Sequence, residues 1–454
     1  MVVDPESLMT ASMRSAAWGK AAALVMAAAL EAVDPGVAVR EHLRRDKNQL
    51  LISGKTYDLS AYRRIVLIGA GKAGAPMAQA SAELLGDYLE GGLVIVKEGY
   101  LGDPIDPAIE ILEAGHPIPD QRGQDATLRM LDILGGLGRN DLVLFLISGG
   151  GSALMHVPVE GVSLEDLQQL TSTLLVVGAN ITEINTLRKH LDRVKGGGLA
   201  RAAAPAEMVT LVLSDVIGDP LDVIASGPTV PDSSTFQDAW KVLERYAILD
   251  QIPVSVREHL SRGVRGEIPD TPKRDDAIFQ RGAHMILGNN RRAAEAAARA
   301  ARSSGFRTLV LTSRLQGEAC QAGKILGALA RQVGGAAGSG PLCLIAGGET
   351  TVTVSGDGHG GRNQELALGA LEELAGLAGV GLLALATDGG DGPTDAAGAV
   401  VTGESLERAL LLGLDPRAYL ARNDAYHFFD VLGDLLKPGP TQTNVNDLTF
   451  LFVT

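Results

Sequence analysis

The chain has little cysteine: only Cys320 and Cys343 occur in 454 residues. Two thiols build neither a disulfide framework nor a zinc site, and a reducing cytoplasm is expected. An excess of positive charge is also missing. Lys and Arg number 40 against 54 Asp and Glu, a formal charge of −14. That argues against general nucleic-acid binding, and an anionic substrate would need a local basic patch. No apolar run has the length of a membrane span. In the Ala-rich segment 16–33, Lys20 and Glu31 bracket only ten uncharged residues, and no small-residue cleavage site with the right flanks follows. A buried Ala-rich helix is expected there, with no membrane partner. Internal repeats and linkers long enough to be disordered are absent as well.

What is present is ordinary soluble composition, 46% hydrophobic and 21% charged, in a chain too long for one core. Two domains are expected. Continuous apolar runs at 64–71, 91–99, 141–151 and 208–216 read as strands buried on both faces, each ending in Gly, Ser or Asp. This pattern predicts a Rossmann-like parallel α/β sheet with its ligand site at the carboxyl ends of the strands. Residues 48–59 read as a small hairpin turning at Ser53-Gly54. The polar stretch 261–282 is the expected boundary, giving an N-terminal domain at 1–270 and a C-terminal domain at 271–454. In the second, apolar segments at 283–290, 306–313, 340–356 and 379–395 predict a smaller mixed α/β sheet, with strands at both LCLIAGG (342–348) and TTVTVSG (350–356).

Several glycine-rich turns follow these strands. GAGKAG (69–74) fits G-x-G-x-x-G, whose glycines let backbone approach a phosphate at a helix N-terminus. Gly69 and Gly71 are therefore candidate anion contacts. The acid that a dinucleotide ribose requires has one late candidate, Glu98. Lys72 is out of place in such a loop, because a cation at a helix start is locally unfavourable unless it serves a ligand. A second turn, LISGGGSALM (146–155), sets Ser148, Gly149, Gly150 and Ser152 as an anion nest. It is neither a Walker A loop nor a G-x-S-x-G elbow. Residues 183–201 read as one helix ended by Gly196–Gly198. Its buried stripe is Ile184, Leu187, Leu191 and Val194, and its polar stripe is Asn185, Arg188, Asp192 and Lys195. Arg188 and Lys195 stand in a basic cluster dense for so acidic a chain.

Carboxylates gather in loops past other strands: Ser214, Asp215 and Asp219 in one, Asp388, Asp391 and Asp395 in another. Such groups bind Mg²⁺ or take a hydroxyl proton. Glu349, Arg362 and Asn363 flank a glycine-dense turn before a helix. Residues 437–448 form a polar segment carrying Thr441, Thr443, Asn444, Asn446 and Asp447, suited to cover an active site.

Together, GAGKAG, AGHPIPD (114–120), LISGGGSALM, INTLRKHLDRVKGGGLA, LSDVIGDP, IASGPT, GGETTV, GGRNQE, TDGGDGPTDAAGA and GPTQTNVNDL resemble the class II glycerate kinases, or MOFRL family. The resemblance spans nearly the whole chain in one order. It implies a Rossmann-like domain, a smaller mixed α/β domain and a catalytic cleft between them. It also implies phosphorylation of D-glycerate, usually at the 2-hydroxyl, using ATP and Mg²⁺. By that analogy Lys72 and Arg362 bind the transferring phosphoryl group or the substrate carboxylate. Asp388 or Asp391 holds the metal or accepts the proton. Ser148–Ser152 and 347–349 hold nucleotide phosphates or glycerate. Two departures are Gly390, where a larger residue is expected, and Gln442, where glycine is common. The competing reading is an NAD(P)H-dependent hydroxypyruvate reductase using the 69–74 loop, which predicts a catalytic His with a paired carboxylate; His116, His190 and His359 sit in no reductase motif. A non-catalytic acid-phosphate sensor is a further reading, and a homo-oligomer is left open.

Overall fold

A computed structural model describes residues 3–102, 106–334 and 340–454. The chain divides into two compact units, Val39–Leu287 and Met1–Ala38 with Gly288–Thr454.

In Val39–Leu287, strands β1 (Leu43–Asp46), β2 (Gln49–Ile52) and β3 (Lys55–Asp58) form an antiparallel meander. The β2–β3 hairpin turns at Ser53 (φ 50°) and Gly54 (φ 79°), as the Ser-Gly pair predicts. The main sheet holds β4 (Arg64–Ala70), β5 (Gly91–Lys97), β6 (Ile109–Ala114), β7 (Asp141–Ile147), β8 (Glu207–Leu213) and β9 (Gly282–Gly288), in the order β6-β5-β4-β7-β8-β9. The pairs β4–β5, β5–β6, β4–β7 and β7–β8 are parallel. The chain builds outward from β4 on one side, then returns to build outward from β7 on the other. The order therefore reverses between β4 and β7, and ligands of such sheets bind beyond the strand ends at that switch point. Helix Gln121–Gly135 contributes Ala126, Met130 and Leu134 to one core with Leu93, Val143 and Phe145. A second, helical core gathers Leu170, Leu174, Ile184, Leu187, Phe236 and Leu260.

In the other unit, β10 (Arg307–Leu315), β11 (Leu342–Gly348), β12 (Val380–Ala386), β13 (Gly398–Thr402), β14 (Leu435–Leu436) and β15 (Asp447–Val453) form a mixed sheet ordered β10-β11-β15-β12-β13-β14. Only β10–β11 is parallel; the other neighbours are antiparallel. The Ala-rich segment is indeed a buried helix, Gly19–Glu31. Trp18 before it stacks on Phe452 of β15 at 5.8 Å between ring centroids.

Three features differ from expectation. The division falls after Ala38 and after Leu287 instead of near 270. The first residues pack into the unit that holds Phe452, and β9 extends the first sheet beside β8. The 183–201 segment is not one helix: Ile181–His190 ends at the C-cap Leu191, and a short helix restarts at Gly198–Ala203. Asp192 interrupts it by accepting from Val194 N (3.0 Å) and Lys195 Nζ (2.7 Å). Finally, 351–356 is no strand. Its side chains are largely exposed, and only Thr351 makes an isolated bridge, to Glu318.

Candidate active site

In Val39–Leu287 the loops after β4 and β7 are bonded to each other. Lys72 N donates to Gly149 O (2.8 Å), Ser148 N to Ala70 O (3.1 Å) and Ala73 N to Ser148 Oγ (3.1 Å). Gly71 has φ +139°, and a Cβ there would lie 2.1 Å from Ser148 Oγ, so no larger residue fits. Helix Gly74–Leu85 starts on this loop without a side-chain cap. Gly150 takes φ +85°; a Cβ on it would stand 3.0 Å from the His116 ring and 3.7 Å from Lys72 Cγ. Lys72, His116 and the second glycine turn thus meet beyond the β4–β7 switch point. Ser152 Oγ lies 2.8 Å from Ser226 Oγ, which donates to Asn185 Oδ1 at 3.2 Å. Ala225 (φ 49°) and Ser226 (φ 61°) are both left-handed without being glycine. Such strain costs on the order of 1–3 kcal/mol each and persists where function demands a fixed backbone.

These segments border a cavity of about 500 Å³. Its polar wall includes His116, Gly150, Ser152, Arg188 and Lys195; its apolar wall includes Ile118, Leu164, Leu167 and Leu175. The two predicted cations differ sharply. Lys195 is 4% exposed and its Nζ is taken by Asp192 Oδ2 (2.7 Å) and Met155 O (3.0 Å). The Arg188 side chain makes no hydrogen bond among the described residues. Burial pushes its pKa down and only the nearby charge of Asp192 opposes this. A desolvated guanidinium in a cavity wall has the chemistry that pairs with phosphate or carboxylate. Lys189 and His190 are bound instead to Asp232 (3.2 Å) and Asp270 (2.9 Å). Asp215 is half-buried in the loop that follows β8.

The other unit gathers its predicted residues at the ends of β11 and β12 and the start of β15. Arg362, first residue of helix Arg362–Leu374, donates through Nη2 to Asp447 Oδ1 (2.9 Å) and through Nε to Oδ2. Its Nη1 lies 3.4 Å from Glu349. Burial disfavours the guanidinium's charge, but the Asp447 bonds outweigh it and hold the pKa above the usual value. Asp391 is fully buried and caps the same helix: Oδ1 accepts from Asn363 N (3.1 Å) and Oδ2 from Gln364 N (2.9 Å). Burial pushes its carboxyl up to about 7, with the charge of Asp447 adding and the two N–H groups opposing. Asp447 is likewise raised, by burial first; Arg362 opposes and Asp388 adds. Asp388 is half-buried, with Gly390 N donating to its Oδ1 at 3.2 Å. Asn444 Oδ1 accepts from Asn446 N at 3.3 Å. Asn290 Nδ2 donates to Val445 O and Asp447 O, pinning the polar segment to this edge.

Both departures have local reasons. A Cβ at Gly390 would meet nothing within 4 Å, so a larger side chain is equally admissible. Gln442 sits at φ 59°, the conformation that favours glycine. In the sequence Asp447, Asn185 and His116 stand in motifs that assign them no site role, and Ser226 and Asn290 stand out in no pattern of charge or spacing. The IASGPT motif was the available signal for Ser226.

Fold and geometry thus define a two-unit α/β protein with paired glycine-rich turns at a parallel-sheet switch point and a carboxylate-ringed arginine on a mixed sheet. Residues 21–261 match a domain of unknown function, DUF4147, and residues 342–447 match the MOFRL family. The D-glycerate 2-kinase of Thermotoga maritima is 44% identical over 98% of this chain and 98% of its own. The glycerate 2-kinase of Pyrococcus horikoshii is 41% identical, covering 94% of this chain and 95% of its own. The crystal structure of the Thermotoga maritima glycerate kinase superposes with a TM-score of 0.83 at 43% identity, over 95% of this chain and 99% of that one. The chain belongs to the class II glycerate kinase family, with a MOFRL domain. Among the described residues, no single helix is long and apolar enough to cross a membrane.

Proposed function

We propose that the protein transfers the γ-phosphoryl group of ATP to the 2-hydroxyl of D-glycerate in the cytoplasm. The observation that carries this reading is the meeting of Lys72 with Gly150, which shares a cavity wall with Ser152 and Arg188, so that glycine turns and cations gather at one place in an otherwise acidic chain. In Val39–Leu287, Lys72 grips the transferring phosphoryl group and the Ser148–Ser152 turn receives nucleotide phosphates. In the other unit, Arg362 binds the phosphoryl group or the substrate carboxylate, and Asp388 either takes the hydroxyl proton as the oxygen attacks phosphorus or holds the metal. Asp447 and Glu349 hold Arg362 in place.

In this second cluster Asp391 is committed to the helix N–H groups and Asp447 to Arg362, so the metal role falls to Asp388. Burial is the main cause of the raised Asp447 carboxyl, Arg362 opposes it, and the charge of Asp388 adds a smaller push, so the two acids stand near enough to repel. Asp388 would hold Mg²⁺, with Asp391 supporting the helix start beside it. When bound, that ion neutralises charge on the phosphate oxygens.

Two observations weigh against the reductase reading. Glu98, the only ribose-binding candidate, pairs with Arg122 at 3.0 Å. His190, which does have a carboxylate partner, is buried with both ring nitrogens occupied, by Thr186 O and Asp270. The test is direct: ADP release with ATP, Mg²⁺ and D-glycerate supports the kinase. NAD(P)H consumption with hydroxypyruvate, without ADP release, overturns it.

A further inference from the structure

The cavity of Val39–Leu287 is much larger than the proposed acid substrate requires. Glycerate is a short, wholly polar molecule, while about 500 Å³ is the scale of a pocket for a much larger ligand. One end carries Gly150, Ser152 and Arg188, the chemistry of phosphate. The rest is walled by Ile118, Leu164, Leu167 and Leu175. Ile118 and Leu175 are 67% and 62% exposed, so a flat apolar ligand would cover surface that water now touches. His156 borders the same cavity and is only 2% exposed. Its Nδ1 must donate to Ala153 O (2.9 Å), because a carbonyl only accepts, and its Nε2 has no partner. Burial, and then the charge of Lys195, lower its pKa and keep the ring neutral. Nε2 therefore carries a lone pair that the protein supplies with no donor.

We infer that this cavity takes the adenine and ribose of the nucleotide, with the base over Ile118 and Leu175 and the phosphates toward Arg188 and the Ser148–Ser152 turn. Adenine presents a flat apolar face, which matches this wall, beside phosphates that match the Arg188 end. Glycerate would leave the apolar wall uncovered. This assignment rests on the kinase reading and deepens it, since neither family resemblance nor motif says which unit holds the base.

The test uses the full chain with Ile118→Asp, Leu175→Asp and, as a control on exposed surface outside this cavity, Leu411→Asp. Titration calorimetry with ATP and with adenosine reads binding, and steady-state kinetics reads KM for ATP and for D-glycerate separately. In the wild type, adenosine binds and competes with ATP. In the two cavity variants the KM for ATP rises about tenfold or more, while the KM for D-glycerate and the saturated turnover stay put. Leu411→Asp matches the wild type. An unchanged affinity for ATP in both cavity variants, or a rise in the KM for D-glycerate alone, overturns the inference. Absence of phosphoryl transfer in the wild type would defeat the kinase reading instead, and calorimetry with ATP and adenosine would still decide what the cavity holds.

Discussion

Lys72 gives the sharpest single-residue prediction. One charge-assisted contact to a transferring phosphoryl group is worth about 2–4 kcal/mol, so Lys72→Met should lower kcat by about 10²–10³. The variant should fold, because its backbone bond to Gly149 is kept. Wild-type turnover in folded protein would reduce the lysine to a loop ornament. Asp391 predicts a pH effect of definite sign. Its carboxyl is raised from 3.8 to about 7 in the fold, so the native state binds the proton more tightly than the unfolded chain. Its contribution to stability is full below about pH 4 and is lost as pH rises toward 7. The Tm of Asp391→Asn relative to wild type should therefore climb across that window; a difference flat in pH would refute the assignment. At this scale the chain was partly legible. A lysine in a glycine fingerprint and an arginine at a glycine-dense helix start announce themselves. Arg188 and Lys195 did not separate, because the partner that takes one and spares the other, Asp192, lies within about one helical turn of both in sequence. Asp388 and Asp391 looked alike for the same reason, and only burial distinguishes the helix cap from the half-exposed acid.

Elements were readable where apolar runs were continuous. β4, β5, β7 and β8 fall within a residue of the expected starts, since strands buried on both faces leave an unbroken apolar record. The 183–201 helix was over-extended because its helical spacing does persist through Val194. What stops it is a local capture joined to a tertiary one: the Asp192 carboxylate takes Val194 N and holds Lys195, and Arg193 N donates to Val157 O at 2.8 Å. This makes Asp192 a structural keystone. Asp192→Ala would strand a buried ammonium and should cost about 3–5 kcal/mol in chemical denaturation. A loss below about 1 kcal/mol would mean that Lys195 finds water or another partner. The 350–356 segment failed in the opposite way. Alternating Thr and Val imitates a half-buried strand, but the sheet edge it would need is filled: β11 already lies between β10 and β15.

Across the whole molecule, a sequence cut near 270 followed polarity, while the fold follows packing. Trp18 is 2% exposed and stacks on Phe452, and Ser12 Oγ donates to Asp434 at 2.7 Å. The first 38 residues therefore complete the unit made otherwise by Gly288–Thr454. A fragment spanning 39–287 should fold alone with a cooperative melt, whereas 288–454 without residues 1–38 should not. Trp18→Ala should cost about 3–5 kcal/mol and lower the melting of the second unit only. Cooperative folding of isolated 288–454 would contradict this division.

The central claim, phosphoryl transfer to the 2-hydroxyl of D-glycerate, is tested most directly by proton-coupled phosphorus NMR of the product formed from ATP, Mg²⁺ and D-glycerate. A phosphate on the 2-oxygen couples to one carbon-bound proton, so a new monoester doublet is the predicted result. A triplet, from the two protons beside the 3-oxygen, or no new monoester at all, would contradict it.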